Sequence, residues 1–403
     1  KNITDVGHMR QEVLERGEDK VIASALAEGK SPQEIAFFYT EAFHRDEEKL
    51  GIRPATYFPK ATDHVSEMIQ VTQRLIEHGY AYEIQGNVYF SVAKFSEYGR
   101  LSGNTGEDLL EGVRAEADPL KKDPRDFTLW KAAEHGRVLK WSSPWGQGFP
   151  GWHIECSAMA TKYLGEHLDI HTGGVDNIFP HHECEIAQSE ASTGKPFVHF
   201  WIHGEHLIVD GEKMSKSKGN QYTLRDILEK GYDPLAVRYL LQSVHYRKQL
   251  NFTFEGVEQA QSALQRINDF LVRIREVSDE IDENKGLSEK IAQARVDCEA
   301  WLDEDLNTSG ALGVLFDLIK QVNVSLECSE VGGINRDQIL SLITDVNRVL
   351  AVFQVEIPAL EDQEITNMIE QREQARLQND YQRADEIRDA LAQQGITLED
   401  TQG

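Results

Sequence analysis

Cys156, His181 and Glu185 are a thiol, an imidazole and a carboxylate, three side-chain types that bind zinc well. His181 and Glu185 are four residues apart, a spacing that puts both on one face of a helix. Three protein ligands leave a coordination position open. Spacing alone leaves a second reading standing, with Cys156 a buried small hydrophobe and His181/Glu185 a solvated helix pair. Cys184 is a competing donor, but its position turns it away from the His181/Glu185 face, so a packed cysteine is expected. His182 is expected to face substrate or to back a ligand.

The same stretch ends in Lys213-Met214-Ser215-Lys216-Ser217-Lys218-Gly219, a basic loop closed by glycine. Lysine donates to phosphate oxygens as a compact cation. Such a loop can place charge where a departing pyrophosphate develops it; taken alone, it is equally a solvated loop. No Gly-x-x-x-x-Gly-Lys-Ser/Thr run occurs, so a P-loop is not indicated. His171-Thr172-Gly173-Gly174-Val175-Asp176 is glycine-rich with a following acid. Glycine allows close backbone approach to a ligand and aspartate can hold a ribose hydroxyl. A tight turn explains the run as well.

These groups need elements to hold them. Asp176, Asn177 and Pro180 make an entry into a helix bearing His181 and Glu185. Trp152–Ile154, just before Cys156, reads as strand. A helix is expected from about Thr223. Lys1–Lys60 reads mainly helical, with Ile22, Leu26, Ile35 and Phe38 on buried faces. Val65, Met68, Ile69, Val71 and Leu75 predict a helix, and Tyr80–Ser91 a strand–turn–strand around Gln85-Gly86-Asn87. Residues 101–125 are polar and acidic. Trp130, Trp141 and Trp145 are expected in a core. Leu224–Leu241, Val257–Ile281, Trp301–Val324 and Ile339–Phe353 read as helices, several with amphipathic spacing, which together imply a bundle. Gly332-Gly333 and Pro358 read as connections. Ile365–Leu391 is a further helical piece.

The chain has 403 residues, enough for several domains, and 40% of them are hydrophobic. No run of 18 or more apolar residues reads as a membrane span, and no signal-peptide pattern opens the chain. Four cysteines make no disulfide framework and fit a reducing cytosol. The formal net charge of −26 counts against generic nucleic-acid binding. Residues 211–248 run the other way, with eight Lys/Arg against four Asp/Glu, and a patch of that kind can meet a phosphate backbone.

Taken together, Trp152-His153-Ile154-Glu155-Cys156-Ser157, Gly173-Gly174-x-Asp176, Phe179-Pro180-His181-His182-Glu183-x-Glu185 and Lys213-Met214-Ser215-Lys216-Ser217 resemble the cysteinyl-tRNA synthetases, class I aminoacyl-tRNA synthetases. Further matches run from Asn2-Ile3-Thr4-Asp5-Val6-Gly7-His8, through Asp233–Tyr239 and His245-Tyr246-Arg247, to Arg383-Ala384-Asp385-x-Ile387-Arg388.

The resemblance implies an α/β fold class: a Rossmann-type nucleotide-binding domain, incomplete at its N-terminal end, with an insertion, then an α-helical bundle and a small C-terminal domain. Residues 1–60 would be the first half of the catalytic domain, 61–148 the insertion, and 149–210 the second half with the zinc site. Residues 211–250 would be the lysine loop and tRNA stem contact, 251–360 the anticodon-arm bundle, and 361–403 the small domain.

The implied activity joins cysteine to tRNA(Cys) through cysteinyl-adenylate, using ATP with Mg2+. The family's zinc has two cysteines, a histidine and a glutamate, three of which match Cys156, His181 and Glu185. One zinc per chain is implied, reading the substrate thiolate. Lys216 is the main cation for the departing pyrophosphate, with Lys213 in support. Gly174 and Asp176 fall on the ATP side, and Trp152 and His182 line the cysteine pocket. The fourth ligand and the family's His-x-Gly-His motif lie upstream of the region matching Lys1. Roughly the first 60 family residues are therefore expected to be missing, leaving the ATP and zinc sites incomplete and activity in question. A cytoplasmic monomer without membrane association is expected.

Three other readings compete. One is the related ligase that joins cysteine to an amino sugar in mycothiol synthesis, against which the Arg383–Asp400 segment argues. Another is a noncatalytic tRNA- or zinc-binding remnant. The third is a zinc hydrolase, which gives the lysine loop no task.

Overall fold

The structure, a computed structural model, describes residues 1–6, 9–11, 16–19, 24–25, 27–104, 118–355, 363–378 and 380–393. The side chains of 9–11, 16–19, 216, 363, 364, 366, 392 and 393 are outside that description. So are Gly7, His8, Ile22, Leu26, Pro358, most of the acidic 101–125 stretch and the terminal Gly395–Asp400 segment. The chain divides into a unit of Lys1–Val352 and a unit of Phe353–Gly403.

The first unit opens with an antiparallel pair, β1 (Met9–Gln11) and β2 (Arg16–Asp19). Helix α1 (Pro32–Lys49) follows, started by a capping box in which Ser31 and Glu34 satisfy each other's backbone N–H. The opening is thus less helical than the sequence reading has it. Ile35 is buried in α1, but Phe38 is exposed, against expectation. Its neighbours Phe37 and Tyr39 are exposed too, so this run of aromatics has no single buried stripe.

Helix α2 (Val65–Glu77) buries Val65, Met68 and Leu75 against an antiparallel five-stranded sheet. The strands are β3 (Ala81–Ile84), β4 (Asn87–Phe90), β5 (Phe127–Ala132), β6 (Trp141–Ser143) and β7 (Gly146–Pro150), in the order β3-β4-β5-β7-β6. Gln85 and Gly86, both at positive φ, make the predicted turn between β3 and β4. Trp130 is fully buried in the core, with Trp141 and Trp145 packed against it.

Helix α3 (Trp152–Leu164) begins where β7 ends. Trp152–Ile154 is therefore helical, not strand. Gly151 explains the tight junction, since a Cβ there would lie 2.1 Å from the Thr128 carbonyl oxygen. Every residue from His153 to Ala160 is buried, which hides the helical period from the sequence.

A parallel pair follows, β8 (Leu168–Gly174) and β9 (Val198–Gly204), in register from Leu168↔Val198 to Gly174↔Gly204. Between them lie a kinked helical passage and helix α4 (Glu183–Thr193), which ends on Gly194 at φ 70°. Ile154 and Met159 of α3 and Cys184 and Ala187 of α4 share the core with α2 and the five-stranded sheet. The opposite faces of α3 and α4 are left to carry other groups.

Strands β10 (Leu207–Val209) and β11 (Glu212–Lys213) form a hairpin. Helices α5 (Leu224–Glu229) and α6 (Pro234–Gln242) replace the single helix expected over 224–241. Asp233 caps α6 through the Leu235 N–H, and Pro234 opens it, so the chain breaks between the two. Strand β12 (Leu250–Phe252) pairs in parallel with β10.

The bundle consists of α7 (Phe254–Arg275), α8 (Lys285–Asp303), α9 (Thr308–Glu327) and α10 (Gly333–Leu350). Trp301 belongs to α8, not to the head of α9. Asp305 and Leu306, both at positive φ, separate the two helices. The second unit includes α11 (Gln363–Leu377) and α12 (Tyr381–Gln393), which contact each other; the expected single helix is thus a pair.

Candidate active site

Ligating atoms of Cys156, His181 and Glu185 lie within 4.8 Å of one another. Cys156 comes from the first turns of α3, Glu185 from the first turn of α4, and His181 from the turn leading into α4. The four-residue spacing holds even though His181 precedes the regular helix, because His182 and Glu183 already have helical φ and ψ. All three side chains are buried.

Glu185 is fully buried, and neither carboxylate oxygen has a well-formed hydrogen bond. His181 Nε2 nevertheless lies 2.9 Å from Oε1, and His171 Nε2 3.6 Å from it. A buried carboxylate without donors is costly unless a charge partner answers it. Burial and the Glu185 and Glu155 carboxylates push the Cys156 thiol well above its usual range, while Asn2 pulls the other way. Excess negative character beside a thiol and an imidazole suits a divalent cation of zinc type. A second group of donors, His171, His182 and Glu185, shares the same carboxylate. It lacks the thiol.

Cys184 is the packed cysteine the sequence implied. It is fully buried in the core, with its Sγ 3.3 Å from the Tyr98 hydroxyl. Trp152 lies over His181, ring centroids 4.1 Å apart. His182 is held by His203, Nδ1 to Nε2 2.8 Å, and packs on Trp201. Burial and the surrounding imidazoles push His182 down to about 2, so it is neutral at ordinary pH. A cavity of about 900 Å³ opens over the cluster, lined by Trp152, Cys156, His181, His182 and Glu185 among others.

Gly174 ends β8 and Asp176 follows in an exposed turn. Gly173 lines the cavity, whereas Gly174 and Asp176 do not. A Cβ on Gly173 would lie 2.5 Å from His182 Cε1, so glycine is required for the histidine to sit there. Lys213 ends β11 exposed and away from the cavity lining. Lys216 begins a short helical turn over Lys216–Lys218, and its side chain is outside the description. Asn220 ties this loop together, accepting the Ser215 N–H at 2.9 Å and donating to the Lys213 carbonyl at 3.3 Å. Thr223 and Asp226 then cap α5.

Sequence reasoning assigned no role to His153, His203 or Asn220, and within the Gly173-Gly174 pair it chose Gly174, whereas Gly173 lines the cavity. A histidine or asparagine has no period that betrays its partner; only Gly173, inside a Gly-Gly pair, carried a signal.

The pattern of the tRNA synthetases class I (C) catalytic domain matches residues 3–262, and that of the DALR domain matches 298–355. The cysteine–tRNA ligase of Brachyspira hyodysenteriae is 45% identical over 416 residues, covering 99% of this chain and 84% of that one. The cysteine–tRNA ligase of Chlorobaculum tepidum is 41% identical over 419 residues, covering 100% and 83%. In fold, the chain is similar to Mycobacterium tuberculosis methionyl-tRNA synthetase in complex with methionyl-adenylate. That likeness has a TM-score of 0.59 at 14% identity, over 84% of this chain and 82% of the other. From its catalytic-domain match and these identities over nearly the whole of this chain, the chain belongs to the cysteine–tRNA ligases, class I aminoacyl-tRNA synthetases.

Proposed function

We propose that this chain charges tRNA(Cys) with cysteine through the site over α3 and α4. The observation that carries the reading is the Cys156/His181/Glu185 cluster, whose buried carboxylate has no well-formed hydrogen bond. These three residues would hold a zinc ion. Zinc there would supply an open, thiophilic coordination position that reads the substrate's sulfur. Such a device is needed because serine differs from cysteine by one atom, and shape alone discriminates by only about 1–3 kcal/mol.

In the first step a carboxylate oxygen of cysteine attacks the α-phosphorus of ATP. The bond to the β-phosphate breaks, and pyrophosphate leaves. Lys216, supported by Lys213, places charge on that leaving group. Mg2+ bound with the ATP would supply further positive charge there. Gly174 and Asp176 take the ATP side. Trp152 and the neutral His182 wall the cysteine pocket. In the second step the 2′-hydroxyl of the terminal adenosine attacks the carbonyl carbon, and AMP leaves.

The basic 211–250 region meets the tRNA stem, and the 251–360 bundle and 361–403 segment serve the anticodon side. The protein works as a cytoplasmic monomer. Among the described residues no helix is long and apolar enough to cross a membrane.

Cysteine-dependent ATP–pyrophosphate exchange, with serine as competitor and metal analysis alongside, tests the reading. Cys156→Ala is expected to lose both zinc and the preference for cysteine. Unchanged zinc content would refute the ligand assignment.

A further inference from the structure

His153 makes a contact that the three ligands leave unexplained. Its Nδ1 lies 3.0 Å from Nδ1 of His181, and both rings are buried. Two imidazole nitrogens at that distance form one hydrogen bond, with the proton on one and the lone pair on the other. The direction decides what His181 offers elsewhere. A neutral ring with its proton on Nδ1 presents a bare lone pair at Nε2, the nitrogen that faces Glu185. With the proton on Nε2 instead, His181 and Glu185 would be a simple donor–acceptor pair. At 2.9 Å the two atoms are close, but their geometry gives no well-formed hydrogen bond, so a proton on Nε2 would gain little there, whereas one on Nδ1 is answered by His153.

The placement of His153 couples it to both ligand-bearing helices. It sits one turn before Cys156 on α3. Its carbonyl accepts from Gln188 Nε2 at 3.0 Å, and the same nitrogen donates to Ser157 Oγ at 2.9 Å. Gln188 lies on α4, three residues after Glu185. The Phe127 ring of the five-stranded sheet meets the His153 ring edge to face at 5.7 Å. Trp152 lies over His181. The His181 ring is thus fixed by its close, tilted contact with Trp152 and by one hydrogen bond to an imidazole that is itself held in place.

We propose that His153 is a positioning residue for the metal site: its Nδ1 accepts the Nδ1–H of His181 and so leaves His181 Nε2 bare beside Glu185. The proposal rests on the zinc reading above. The partner of a ligating histidine's second nitrogen is commonly a carboxylate, a carbonyl or water; here the role falls to a second imidazole.

The full chain as wild type, His153→Phe and His153→Asn tests this. Phenylalanine keeps a ring against Phe127 and lacks the acceptor. Asparagine can present an oxygen where Nδ1 was. Zinc affinity is read by competition with a chromophoric chelator, cobalt substitution gives the ligand-field spectrum, and thermal unfolding of the metal-free proteins checks the fold. His153→Phe is expected to bind zinc about 10- to 100-fold more weakly, the usual cost of losing such a partner. His153→Asn is expected to return affinity to within about 3-fold of wild type, with a wild-type cobalt spectrum. Wild-type affinity in His153→Phe overturns the proposal. So does a well-folded His153→Asn that binds as weakly as His153→Phe. Wild type is read first, and failure of wild type to take up zinc overturns the zinc reading together with the proposal.

Discussion

His182 Nδ1 lies 2.8 Å from His203 Nε2, so the histidine that lines the cavity is a neutral imidazole sharing one proton with a second, also lowered, histidine. Burial, with His171, His181 and His203 nearby, lowers His182 from 6.5 to about 2. The unfolded chain therefore binds this proton near pH 6.5 while the folded chain does not. Stability from His182 is present above pH 6.5 and is lost as pH falls below it, toward about 2. His182→Asn should flatten the stability curve between pH 6.5 and 4.5, by at most about 1.4 kcal/mol per pH unit for one proton. Urea unfolding at pH 7, 6 and 5 checks this; parallel curves for wild type and variant would contradict it.

Glu183 anchors the start of α4 to the loop of residues 99–102. Its Oε1 accepts the Gly99 N–H at 2.9 Å, and Oε2 accepts those of Leu101 at 3.1 Å and Ser102 at 2.8 Å. Removing the fully buried carboxylate strands these three donors, each costing about 1–3 kcal/mol when unsatisfied. Glu183→Ala should lower unfolding free energy by about 3 kcal/mol or more in urea titrations. Glu97→Ala, which breaks an exposed ion pair with Arg100 on the same loop, should cost under about 1 kcal/mol. Equal losses would remove Glu183 from this role.

The contrast between Glu183 and Glu185 also shows what was legible in the sequence. The four-residue spacing of His181 and Glu185 and the opposite orientation of Cys184 follow from helical geometry, and both hold in the structure. The α3 start did not follow, because a helix buried on nearly all sides looks like any short apolar run. The breaks at residues 230–233 and 304–307 depend on caps and positive φ at Asp305 and Leu306, which periodicity does not register. Glu183, His153 and Asn220 are read only once the chain has folded, since their partners lie on other elements or in turns that must first form.

The lysine loop gives a separable prediction. Lys216→Ala should lower adenylate formation far more than it weakens cysteine binding, because its charge is required only as pyrophosphate departs. Asn220→Ala removes the side chain that holds Ser215 and Lys213 in place. It should slow pyrophosphate exchange by about 10- to 100-fold with zinc content unchanged. Exchange kinetics with metal analysis on the same samples decide it; zinc loss in Asn220→Ala would mean the loop and the metal site are one structural unit.

Gly173 tests the histidine wall from the backbone side. It stands opposite His203 in the β8–β9 pairing, and His203 in turn holds His182. An added Cβ would lie 2.5 Å from His182 Cε1 and 2.9 Å from Nε2. The ring cannot yield without breaking its contact with His203 or moving into the cavity. Gly173→Ala should therefore cost about 1–3 kcal/mol of stability by overpacking, and reduce cysteine activation by about 100-fold through a displaced wall. Gly204 is the control. It pairs with Gly174 one position further on, and a Cβ there meets nothing within 4 Å. Gly204→Ala should leave both unfolding and exchange near wild type. If the two variants behave alike, generic loss of glycine in the parallel strands is the cause, and the His182 contact is not.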